Sequence, residues 1–171
     1  YSISKAAEIA MNGVAETLRR YQYGLRGARG AIMMLEKQSD KRAGFHDYSL
    51  TRDITTEFPG ARGFGYIQRV AQADTPAFVA AASADGKPDF AVKQLKTHDG
   101  DRYVIQYIEP AGINMAAIGL DIASEPGRRM AADAAMQSGT VQLTAPITLV
   151  QATGYPSQSF LMLLPVYRGY V

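Results

Sequence analysis

Apolar residues recur along the first part of the chain at alternating steps of four and three: Ala7, Met11, Val14, Leu18, Tyr21, Leu25, Ala28, Ile32 and Leu35. This spacing puts them on one stripe of an α-helix and holds for about four heptads, enough to read as a coiled-coil seam. A helix of about 36 residues within positions 1–38 is about 54 Å long at 1.5 Å per residue. Two uses of the stripe are open. It can pack on the chain's own domain, as amphipathic helices do. It can also pair with a second copy as a parallel stalk, with Val14, Leu18, Tyr21, Leu25 and Ile32 in the seam, and carry a signal as a small helix shift. Gly24, Gly27 and Gly30 interrupt the helix, each at up to about 1 kcal/mol relative to alanine. Their spacing of three brings them near one face, where other groups can approach closely. Arg19, Arg20, Arg26 and Arg29 read as a solvated outer face.

After a loop at 39–44, a short helical stretch runs from Asp47 to Glu57 and ends at Pro59-Gly60. Gly63–Val70 reads as a strand, and Thr75-Pro76 as the N-cap and first position of the next helix. Asp85-Gly86-Lys87-Pro88 turns toward a short strand, Phe90–Lys93. His98-Asp99-Gly100-Asp101 is another turn before a strand at Arg102–Glu109. Met115–Ile122 reads as a strand, and Ser124-Glu125-Pro126 opens a helix that Ser138-Gly139 closes. Val141–Thr144 and Phe160–Tyr167 complete the strands. Helices and antiparallel strands without regular βα alternation predict an α+β fold.

The chain has 171 residues, 47% of them hydrophobic and 20% charged, with a net charge of +2. This is a globular composition, with too little positive charge to point to nucleic acid. No run approaches the ~20 apolar residues of a membrane span, and no signal peptide is legible, since Tyr1 opens in a helical pattern. The absence of cysteine excludes thiolate metal sites, disulfides and cysteine catalysis.

Catalytic and metal motifs are weak. Gly60-Ala61-Arg62-Gly63-Phe64-Gly65 enters a strand, whereas a phosphate cradle opens a helix. His46 and His98 lack metal-ligand spacing and read as surface or capping residues. Asp99-Gly100-Asp101 lacks the remainder of a calcium loop. No nucleophile sits beside a base, and Glu109 with Asp121 is only a nominal carboxylate pair. No cofactor or metal is implied. By contrast, Glu109, Asn114, Asp121, Gln142 and Thr144 are polar groups set among apolar strand residues, the mixture that lines small-molecule pockets. Tyr66, Tyr103 and Tyr107 can supply flat walls, although tyrosines more often pack in cores. Asp121 can instead cap free N–H groups, Asn114 can close the turn after Pro110, and Thr144 can bond a backbone group.

Tyr107-Ile-Glu-Pro110, Asn114, Gly119-Leu-Asp121 with its following helix, Ser138-Gly139, Leu143-Thr-Ala-Pro146 and Pro165-Val-Tyr167 occur in an order that resembles CHASE sensory domains. Phe58–Val70 resembles the first strand region of that family, and the similarity covers roughly positions 45 to 167. The resemblance implies the extracytoplasmic, periplasmic input module of a membrane receptor, with flanking membrane spans and a cytoplasmic kinase or cyclase output outside this chain. It implies a PAS-like five-stranded sheet: a stalk at 1–38, a membrane-distal ligand-binding lobe at 45–146 and the start of a proximal lobe at 147–171. In the plant cytokinin-binding members a threonine in the LTAP-like motif contacts the ligand, which Thr144 matches. The acid that grips the ligand there falls at Ala111-Gly112, which has no carboxylate; Glu109 is the nearest one. The functional expectation is a homodimeric sensor of an unidentified small molecule, non-enzymatic in itself. The alternative is a dimerising module that answers to a partner protein or the membrane.

Overall fold

The structure is a computed structural model that describes residues 3–150 and 156–168. The elements, in order, are α1 (Ile3–Leu35), α2 (Lys41–Leu50), α3 (Ile54–Glu57), β1 (Phe64–Val70), α4 (Thr75–Ala84), β2 (Arg102–Glu109), α5 (Ala111–Asn114), α6 (Pro126–Ser138), β3 (Gln142–Leu143), β4 (Ile147–Val150), β5 (Pro156–Ser159) and β6 (Met162–Leu163). The class is α+β, as expected. The sheet differs from expectation. Among the described residues there are three antiparallel pairs, β1–β2, β3–β6 and β4–β5, and no five-stranded sheet.

Two predicted strands shrink to single bridges, Lys93 with Leu120 and Val104 with Asp121. Met115–Ile122 fails as a strand because Met115–Ala117 coils into a 3-10 turn and Gly119 adopts φ 88°. A Cβ at Gly119 would run into the Ala91 carbonyl oxygen, so the close crossing of the two segments requires glycine. Phe160–Tyr167 pairs only at Met162–Leu163, whose partners are Leu143 and Gln142; Pro165 offers no N–H to a longer ladder.

The core follows from β1 and β2. Seven of the eight β2 residues pair with β1, but the register steps from Tyr66↔Tyr107 to Ile67↔Ile105 and leaves Gln106 as an extra residue. Such a bulge turns the following side chains to the opposite face. Tyr107 therefore packs with Phe45, Ala28, Ile32 and Leu35 under α1 and α2, while Ile105 and Tyr103 pack with Ile122, Ala123 and Ala132 under α6. Val104 joins Ala82, Phe90 and Ile118 beside α4. A strand covered on both sides loses clean alternation, and β2 is buried at five of its eight positions. Arg42 secures the bulge: its guanidinium donates to the carbonyls of Gln106 (2.8 Å) and Asp85 (2.9 Å). Burial holds that guanidinium below its usual pKa.

Helix ends explain the remaining differences. The stretch expected at 47–57 is two helices, α2 starting at Lys41 and α3 after a break. Asp74, not Thr75, occupies the N-cap position of α4, and Thr75 instead accepts from Arg102 Nη1 at 2.6 Å. The ends of α6 are as read: Glu125 accepts from Gly127 N and Arg128 N, and Gly139 closes with φ 71°. Those two backbone bonds depress the Glu125 carboxyl pKa.

The stripe of α1 divides. Ala28, Ile32 and Leu35 are buried in the chain's own core, so Ile32 is engaged within the chain. Val14 is 60% exposed. Gly24 admits the Phe58 ring, which a Cβ would meet at 2.6 Å, and Gly27 admits the Tyr48 hydroxyl at 2.7 Å; Gly30 meets nothing within 4 Å. Gly30→Ala is thus expected to stabilise the chain by about 0.5 to 1 kcal/mol. Gly24→Ala is expected to destabilise it by about 1 kcal/mol through overpacking. Urea denaturation of the two variants checks both signs.

Candidate ligand-binding cavity

Short elements covering a bulged two-stranded sheet leave space on the α6 side. A cavity of about 830 Å³ lies there, walled by α1, the sheet, α6 and the segment 158–168. Its floor is apolar: Ile67, Ile105, Ile108, Leu120 and Ile122. Small residues on α6, Ala132 and Ala135, set the helix close without filling the space. Leu161, Leu163 and Val166, from the segment read as the start of a second lobe, pack against the two cores flanking the cavity. Tyr167 holds this segment down by donating to the Met136 carbonyl at 2.6 Å. From α1, Tyr21, Gly24, Leu25 and Ala28 face the same space, and Tyr21 donates to the Pro59 carbonyl.

The predicted polar residues are not gathered in one place. Tyr66, Tyr103 and Asn114 line the cavity. Tyr103 donates to Asp133 at 2.7 Å, and burial, then this bond, pushes its pKa up to about 12. Tyr66 donates to Gln68 at 2.7 Å, and burial raises its pKa. Asn114 donates to the carbonyls of Pro110 (2.9 Å) and Arg62 (3.1 Å), closing the turn as one reading anticipated. Tyr107 lies on the other face, its ring 4.9 Å from that of Phe45, and burial raises its pKa. Glu109 also faces α2: its carboxylate lies 3.1 Å from His46 Nδ1 and accepts from Ala111 N. Gln142 donates to Thr140 at 3.1 Å at the end of α6. Thr144 is buried, and its hydroxyl accepts from Leu161 N at 2.9 Å. It lines a smaller pocket of about 260 Å³ with Glu125 and Arg128.

Asp121 is fully buried and organises the polar centre of the fold. One carboxylate oxygen accepts from Tyr103 N (2.9 Å) and Ala123 N (3.0 Å). The other accepts from Gln94 Nε2 (3.1 Å) and lies 2.6 Å from His98 Nε2. His98 is therefore a buried partner of Asp121, not a surface residue. Nothing local in the turn His98–Asp101 signals this; only the bridge that carries Asp121 to β2 brings them together. Among the described residues no group of His, Cys, Asp or Glu side chains is placed to hold a metal, and no helix is long and apolar enough to cross a membrane.

A family model described as CHASE domain matches residues 38–170. The chain belongs to the CHASE domain family. CHASE domains are extracytoplasmic sensory modules of membrane signalling receptors. No match is found among curated proteins. Within this CHASE domain, sequence reasoning missed the α1 wall and Arg128 as cavity residues. The stripe of α1 contained the first signal, since Tyr21, Leu25, Ala28 and Ile32 of it line the cavity.

Asp121→Ala leaves a buried histidine and two backbone N–H groups unpaired. It is expected to cost about 3 to 5 kcal/mol. Thermal and urea denaturation check it; a loss under about 1 kcal/mol would contradict the structural role given to this carboxylate.

Proposed function

We propose that this CHASE domain is the small-molecule sensor of a transmembrane receptor, and that its ligand occupies the cavity of about 830 Å³. The observation that carries this is the composition of the walls. Leu25 and Ala28 of α1 face the same space as Ile105 of the sheet and Ala132 of α6, so a ligand there touches the helix that leads away from the domain. Binding stabilises one placement of α1 against the sheet, by no more than the ligand's difference in affinity for the two placements. Val14 of the seam, 60% accessible, is available to pair with a second copy. Pairing there converts a displacement of α1 into a change between the two stalks, and flanking membrane spans carry it to a cytoplasmic output. Residues 45–146 form the body of the membrane-distal lobe, and the segment expected to begin a proximal lobe contributes residues 158–168 to its cavity wall.

A second reading rests on the same exposed seam: a dimerising module that responds to a partner protein or membrane state and leaves the cavity empty. The two separate in a ligand screen with organic acids, amino acids, purines and neutral apolar compounds. A cavity ligand at one hundred times its Kd stabilises the domain by about 2.7 kcal/mol. Ala117 lines the cavity and is partly buried against its apolar wall. Ala117→Phe is therefore expected to weaken binding at least about tenfold while the domain stays folded. A screen without hits, or a hit indifferent to Ala117→Phe, favours the second reading.

A further inference from the structure

Accepting that cavity as the sensing site, its charges identify the chemistry of the ligand. The lining includes Arg29, Arg62, Arg69, Arg128 and Arg168 against one acid, Asp101, among the described residues. Arg69 is neutralised by Asp101 at 2.9 Å, and Arg168 is 80% exposed and lies 3.5 Å from Glu36. Arg128 differs. Its side chain is 11% exposed, and its nearest acid oxygen, Glu125 Oε2, is 3.8 Å from Nε. Each oxygen of Glu125 accepts a backbone hydrogen bond, from Gly127 N at 3.0 Å and from Arg128 N at 2.8 Å. The Nε of Arg128 is buried and has no hydrogen-bond partner among the described residues. A guanidinium N–H withdrawn from water without a hydrogen bond is costly, and an anion that accepts from it removes that cost.

Arg128 stands at the boundary between the large cavity and the smaller pocket beside Thr144. The cavity that Arg128 lines is mostly apolar, with Ile122 and Ala132 among its walls. A ligand that reaches it must therefore carry its charge at one end and hydrocarbon or an aromatic ring along the rest. We infer that the cavity takes an amphipathic organic carboxylate, with its apolar body on the isoleucine floor and its head group on Arg128. A planar guanidinium matches a carboxylate through two parallel N–H donors, which favours this head group over a single-point acceptor.

The test is calorimetric titration of the full chain with hexanoate, octanoate, decanoate and phenylacetate, each beside its neutral primary amide. The acid is expected to bind about tenfold or more tighter than its amide. Arg128→Gln is expected to bring the acids to the affinity of the amides and leave the amides unchanged, which also reports that the cavity is intact. Arg128→Lys keeps the charge but loses the fork, and several-fold weakening of the acids is expected. Acids and amides of equal affinity on the unmodified chain overturn the inference and leave the cavity reading standing. So does an acid preference untouched in Arg128→Gln or, should that variant not fold, in Arg128→Lys. Failure of both classes to bind overturns the inference, while the cavity reading is decided separately by the broader screen and Ala117→Phe.

Discussion

Two strands have to be covered on both faces, and the extra residue at Gln106 decides which side chains meet which cover. Without the bulge, Tyr107 and Ile105 would share a face; with it, one anchors α1 and α2 and the other the floor beneath α6. Each large apolar side chain so buried is worth about 1.5 to 3 kcal/mol, so the arrangement of helices depends on this single step in register. Arg42 makes the step tolerable by donating to the carbonyl that the bulge takes out of the ladder. Asp121 does comparable work at the opposite edge, where it gathers β2, the 3-10 turn at Ile122–Ser124 and His98 around one buried carboxylate.

The cavity follows from the same constraint. A two-stranded sheet is too narrow to fill the space between α1 and α6, and the alanines of α6 do not reach across it. The return of the chain at 158–168 closes one side, through Thr144 and Leu161, which exchange hydrogen bonds using both the backbone and the hydroxyl of Thr144. The threonine singled out by its motif thus supports the wall as a structural clamp. Arg128, three residues after the Glu125 cap, stands beside it.

Much of the framework was legible. Pro126 and Gly139 marked both ends of α6, the apolar stripe marked α1, and β1 and β2 fell where their composition placed them. What escaped depended on contacts distant in sequence. Gly119 looked like a residue inside a strand, yet its positive φ and the approach of Ala91 set a crossing that no local pattern encodes. His98 read as a turn residue because its partner lies 23 positions away. Tyr107 and Glu109 sat in the most motif-rich segment, but the bulge turned them toward α2 and away from the cavity. The α1 stripe is ambiguous between self-packing and pairing because its surroundings change along its length: Ile32 is core and Val14 is open.

The central claim is that one ligand contacts the sheet floor and α1 together. The chain has no tryptophan, so Leu25→Trp places a single reporter on the α1 wall. Titration with a ligand found by stabilisation is expected to shift its emission saturably, at the same Kd that the stabilisation gives. A ligand that stabilises the domain while the emission stays constant would contradict the account, because its site would then lie away from the helix that has to carry the signal.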